Sequence, residues 1–132
     1  MHCSATFFAE DFLGAHGPFS RHASFSYRIV TDEQSIIGNP TEKAAESYAD
    51  QIDSVPSAAT VLPAPELGPD AHYWYQEQTP SGAHATSLQH NLIVQVIVDG
   101  KDRNENGEEE PMTTAEAERE ARKLAEAMIE NL

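Results

Sequence analysis

From Ala23 to Val30 the chain alternates, with Phe25, Tyr27 and Ile29 set between Ser24, Ser26 and Arg28. That period of two predicts a half-buried strand. The period changes after Asn39. Ala44, Ala45, Tyr48, Ile52 and Val55 recur at helical spacing, with Glu42, Lys43, Glu46, Asp50 and Asp53 mostly on the other side. Asn39 is a cap, Pro40 fits a first turn whose amide has no partner to lose, and Glu42 completes a capping box, so a helix is predicted over 40–54. Pro56 stops it. Residues 56–70 hold Pro56, Pro63, Pro65, Gly68 and Pro69, which predicts an extended loop with at most a short edge strand at Thr60–Leu62.

Tyr73, Trp74 and Tyr75 open a strand that ends near Gln78, Thr79-Pro80-Ser81-Gly82 is turn chemistry, and Ala83–Gln89 returns as the next strand. His90-Asn91 makes a tight turn, Asn being tolerant of positive φ. Leu92–Val98 is too continuously apolar for an edge and is placed centrally in a sheet. Asp99–Glu110 reads as a polar, acidic loop. Thr113 with Glu116 is a second capping box, opening a helix over 113–131 that buries Ala117, Ala121, Leu124, Ala125, Met128 and Leu132 on one stripe. Glu116, Glu118 and Glu120 near its start and Arg122 and Lys123 past its middle suit the helix dipole.

These elements predict an α+β fold in the order β-α-β-β-β-α. An antiparallel sheet of about four strands would be covered on one face by both helices. Residues 23–132 form this single domain. Residues 1–22 form an N-terminal segment that packs on it, Phe7, Phe8, Phe12 and Leu13 lining one face of a short helix before Gly14, Gly17 and Pro18.

Composition narrows the partners. At 132 residues the chain suits one domain, and 39% hydrophobic residues give it material for a core. Against 22 acids stand 8 bases, a formal charge of −14, which repels nucleic acid and anionic lipid and favours cations or basic proteins. Cys3 is the one cysteine, so no intrachain disulfide forms. No apolar run approaches the roughly 18–20 residues of a membrane span, and none resembling a signal peptide follows Met1.

Candidate chemistry is sparse. Asp102-Arg103-Asn104-Glu105-Asn106-Gly107 matches the first half of a calcium loop, with Asp102, Asn104 and Asn106 as ligands. The second half departs from it: Thr113 stands where a bidentate Glu belongs, Pro111 interrupts, and a strand precedes, so a hydrated acidic turn is the expected reading and weak calcium binding the alternative. No other cofactor is implied. The six histidines (His2, His16, His22, His72, His84, His90) show no metal-ligand spacing. No nucleophile elbow or phosphate loop is present, and an enzyme is not expected. Tyr73, Trp74 and Tyr75 form the aromatic cluster, the two tyrosines on one strand face and Trp74 on the other. Either set, with His72 beside it, reads as a ligand patch if exposed; the simpler alternative puts Trp74 in the core and the tyrosines against the loop at 56–70. Glu108, Glu109 and Glu110 are the acids best placed to meet a basic partner.

One resemblance runs from about residue 24 to 132. Leu67-Gly68-Pro69-Asp70-Ala71 before the aromatic strand, His90-Asn91-Leu92-Ile93-Val94-Gln95-Val96 in the hairpin, and the closing helix from Ala121 to Leu132 resemble extracellular sensor domains of actinobacterial Ser/Thr kinases and related envelope lipoproteins. The disulfide cysteines of some members are missing here, His90 replaces the turn glycine, and no lipobox surrounds Cys3. The resemblance implies a non-enzymatic binding or sensor-like domain outside the membrane, with a small-molecule or protein ligand and no catalytic residues. The alternative expectation is a small acidic inhibitor or immunity-type protein that neutralises a basic partner, steered by the acids of 99–110 and the last helix.

Overall fold

The computed structural model describes residues 2–8, 17–31 and 39–132. Among these the chain runs β1 (His2–Phe8), β2 (Gly17–Ile29), α1 (Pro40–Asp53), β3 (Leu62–Pro63), a 3-10 turn (Pro65–Leu67), β4 (Ala71–Gln76), β5 (Gly82–Gln89), β6 (Leu92–Arg103), β7 (Glu109–Pro111) and α2 (Thr114–Glu130). The fold is α+β. Its sheet has seven antiparallel strands in the order β1-β2-β6-β5-β4-β3, with β7 beside the far end of β6. Strand β6 lies between β2 and β5, as its unbroken apolar run requires.

Both helix starts are capped as the sequence predicts. The Asn39 side chain accepts from the Glu42 amide at 2.9 Å, and Thr113 Oγ1 from the Glu116 amide at 3.2 Å. The tight turn between β5 and β6 places its positive φ, 57°, on His90 rather than on Asn91.

Paired residues of an antiparallel ladder share a face, which fixes what each layer covers. Tyr73, Ala85, Val96 and Phe25 lie in one cross-strand row, and Tyr75, Ala83, Val98 and Ala23 in the next. Helix α2 packs on this face. Its Ala117, Ala121 and Ala125 are buried against Ala83, Ala85, Val96 and Val98, with Leu67 and Met112 closing the cluster. Small residues on both surfaces let helix and sheet approach closely, so dispersion contacts are dense although the side chains are short.

Helix α1 covers the opposite face. Its Tyr48 hydroxyl lies 2.9 Å from His72 Nδ1 and donates to the Thr86 carbonyl at 3.3 Å, and His72 and Thr86 are cross-strand partners in a row alternate to the α2 rows. The expectation that both helices cover one face is therefore corrected. The polar row of β2, which alternation assigns to solvent, is the row α1 overlies.

Four further expectations change. The sheet has seven strands rather than about four. Residues 2–8 pair with β2 along their whole length, so Phe7 and Phe8 belong to a strand and not to a short helix; Phe12 and Leu13 lie outside the described residues. The acidic connector at 99–110 is largely a hairpin: β6 continues to Arg103 and returns as β7, because β2 supplies ladder partners as far as Gly17↔Arg103. On the α2 stripe, Leu132 is 61% exposed and Leu124 and Met128 pack at the edge of the core.

Candidate functional site in the groove between helix α1 and the sheet

The face under α1 is polar, and a helix laid on polar positions leaves a groove where an apolar pair would leave a core. Ser47, Asp50, Gln51 and Ser54 follow one another at helical i, i+3, i+4, i+7 spacing and face the sheet together. Opposite them stand two adjacent cross-strand pairs, Ser26 with Gln95 and Arg28 with Ile93. Together they line a groove of about 560 Å³. Ile93 is buried and is the apolar member of the lining.

Most polar side chains of this groove are uncommitted among the described residues. Ser54 Oγ donates to the Gln51 carbonyl at 2.8 Å, but among the described residues the side chains of Ser26, Arg28, Ser47, Asp50, Gln51 and Gln95 make no hydrogen bond or ion pair. Ser26, Ser47, Gln51 and Gln95 are half-buried. Half-buried amides and hydroxyls without protein partners are held by water, and a ligand offering matching donors and acceptors displaces it. Both signs of charge are present, Arg28 on β2 and Asp50 on α1. On the other flank of α1, Tyr48, Ile52, Asp53, Asp70, His72 and Leu88 are among the residues lining a smaller hollow of about 320 Å³. Burial, with Asp70 second, raises the Tyr48 phenol above its ordinary pKa, so its hydroxyl stays protonated there.

The residues singled out from the sequence are scattered by the fold. Trp74 is 3% exposed and stacks on His84. Its indole N–H donates to Gln76 Oε1 at 2.9 Å, while Gln76 Nε2 donates to the carbonyls of Pro80 and Gln78. Tyr73 lies on the α2 face under the Arg122 guanidinium, 3.8 Å from the ring centroid. Tyr75, also half-buried on that face, lines a cleft of about 740 Å³ with Glu77, Asp99, Lys101, Met112 and Thr113. His72 is bonded to Tyr48. The aromatic triplet is thus divided between two faces and largely consumed by packing.

In the Asp102–Gly107 segment, which runs from the end of β6 into the turn, two of the three candidate ligands already have an oxygen engaged. Asn104 Oδ1 accepts from the amides of Asn106 and Glu108 at 3.0 and 2.9 Å, and its Nδ2 donates to Glu108 and Glu110. Asp102 Oδ1 takes the Arg21 guanidinium at 2.7 Å. Among the described residues no group of three or more His, Cys, Asp or Glu is arranged to hold a metal ion. Glu105, Glu108, Glu109 and Glu110 are exposed on this hairpin, with Lys101 Nζ 2.8 Å from Glu109.

The groove residues were not singled out from sequence. Their signal was present: Ser24, Ser26 and Arg28 alternate on a strand, and Ser47, Asp50, Gln51 and Ser54 keep one helical face polar. Each pattern by itself describes a solvated surface. Comparison of the chain with family models, curated proteins and solved structures finds no match.

Proposed function

We propose that this protein is a non-enzymatic binding domain of the sensor-like kind found outside the membrane, and that it takes a small polar ligand in the groove under α1. The observation that carries the reading is the set of six polar side chains that line one groove and bond to nothing else among the described residues. A core helix sealed on its sheet would bury apolar residues at Ser47, Gln51 and Gln95. The reading calls for no cofactor, since amides, hydroxyls and one charge of each sign suffice to orient a neutral or zwitterionic molecule.

The test is a chemical-shift titration with a panel of amino acids, sugars and peptidoglycan fragments. A ligand of this site shifts the amides of Ser26, Ser47, Gln51 and Gln95 together, and Gln51→Ala/Gln95→Ala weakens it at least tenfold. Ligands that shift only the Tyr75 cleft, or a panel that shifts nothing, would sink the proposal.

A second reading has its own support: the exposed acids of the β6–β7 hairpin suit an inhibitor that docks on a basic protein. Capture of such a partner that survives moderate salt but not Glu108→Gln/Glu110→Gln would favour it. No fragment titration at the groove should then succeed.

A further inference from the structure

The sheet begins at β1, and no described strand pairs with its outer edge. An open edge presents a row of unspent amides and carbonyls, and proteins ordinarily blunt it with charge, proline, a bulge or a covering element. Strand β1 has none of the first three. Residues 2–8 contain no charged residue and no proline, and the ladder to β2 runs without a register shift from His2↔Ser26 to Phe8↔Ser20. Neither do the described helices roof it: α2 lies over β4, β5 and β6 and α1 over β5 and β6, while His2, Cys3, Ser4 and Thr6 are exposed.

The charge pattern says what can pair there. A chain of net charge −14 repels its own copies over most of its surface, and this uncharged strand is a place where two copies can meet. The direction of pairing follows from the acidic hairpin. Phe8 lies opposite Ser20, Ser20 opposite Lys101, and Lys101 opposite Pro111, so the β6–β7 hairpin sits at the end of the sheet where β1 finishes. Antiparallel pairing of two copies places their hairpins at opposite ends of the joined sheet; parallel pairing would set the glutamates side by side.

We propose that a second copy of this chain pairs with β1 edge to edge, antiparallel, about a two-fold axis at Ala5. This register uses all of β1, sets Ser4 of each copy against Thr6 of the other, and makes one sheet continuous through both copies. The contact is closed and self-complementary, so it stops at a dimer.

Sedimentation equilibrium from micromolar to millimolar protein tests it, with folding checked by circular dichroism. The wild-type chain shifts from one to two copies as concentration rises. Ser4→Glu/Thr6→Glu opposes like charges at both pairs and raises the dissociation constant at least tenfold. Ser4→Lys/Thr6→Glu opposes unlike charges in this register and restores the dimer. A single-copy mass at every concentration overturns the proposal. So does a dimer indifferent to the two-glutamate variant, which would put the interface elsewhere, or a lysine–glutamate variant that remains monomeric, which would refute the register.

Discussion

The imidazole of His84 stacks on the indole of Trp74, centroids 4.8 Å apart and planes 15° from parallel. His84 is 2% exposed; its Nε2–H donates to the Pro80 carbonyl at 2.9 Å, and its Nδ1 has no hydrogen-bond partner among the described residues. Burial lowers its pKa below the usual 6.5, and the Pro80 carbonyl only partly opposes the shift. Above pH 6.5 both folded and unfolded chains hold the ring neutral. Below it the unfolded chain takes up a proton that the folded chain refuses, so stability falls as pH drops between 6.5 and the lower folded value. The slope from this residue is at most ~1.4 kcal/mol per pH unit. Urea unfolding of the wild-type chain and His84→Phe between pH 7 and 5 should show that slope in the first protein and its loss in the second.

Arg21 joins three elements. One of its nitrogens donates to Asp102 of β6 at 2.7 Å and to Glu116 of α2 at 2.9 Å, and the other to the carbonyls of Ser20 and Lys101. Burial acts to lower its pKa, but the two carboxylates more than offset this and raise it, so the cation persists at any working pH. Arg21→Met leaves two half-buried carboxylates facing each other and should cost about 1–3 kcal/mol in urea unfolding. Arg21→Lys should recover less than half of the loss, because an ammonium cannot make the forked contact.

Two glycines should respond differently to alanine. Gly82 has φ of 120°, and a Cβ there would lie 2.4 Å from the Val98 carbonyl oxygen, part of a neighbouring strand that cannot move aside. Gly82→Ala should destabilise by more than about 2 kcal/mol. Gly107 has φ of 78° but open space around it, so Gly107→Ala should cost only about 1 kcal/mol of backbone strain. Denaturant midpoints for the two variants check the order.

Millimolar calcium should leave the melting temperature unmoved, since Asp102 Oδ1 already accepts from Arg21 and Asn104 Oδ1 from the turn amides. Asn104→Ala should instead loosen the turn with or without calcium, read as faster amide exchange at Asn106 and Glu108.

Local rules carried the sequence reading furthest where one residue decides one bond. The caps at Asn39 and Thr113, the stop at Pro56 and the hairpin from Ala83 to Val98 all follow from side chains acting on nearby backbone. Placement of layers did not follow. Alternation of Phe25, Tyr27 and Ile29 with Ser24, Ser26 and Arg28 separates two faces, but it does not say that a helix will lie over the polar one. Strand β1 escaped because His2 to Thr6 lack both β-branched density and strong alternation, and its conformation is set by the ladder of β2. The outward run of β6 escaped for a related reason: Asp99 to Arg103 are turn-like in composition, yet β2 and β7 supply them with partners. The groove was invisible because its two walls are at least nineteen residues apart and each wall looks like ordinary surface.

The seating of the two helices has a mechanical consequence. Helix α2 meets the sheet through Ala117, Ala121 and Ala125, side chains too short to stretch, so it docks fully or not at all. Helix α1 hangs mainly on Tyr48 and Ala44 over a polar row. The sheet therefore divides a rigid side from a compliant one, and amide protection in α1 should give way at lower denaturant than in α2. A molecule filling the groove would tighten the compliant side alone, so occupancy would read out as added amide protection in α1 and not in α2.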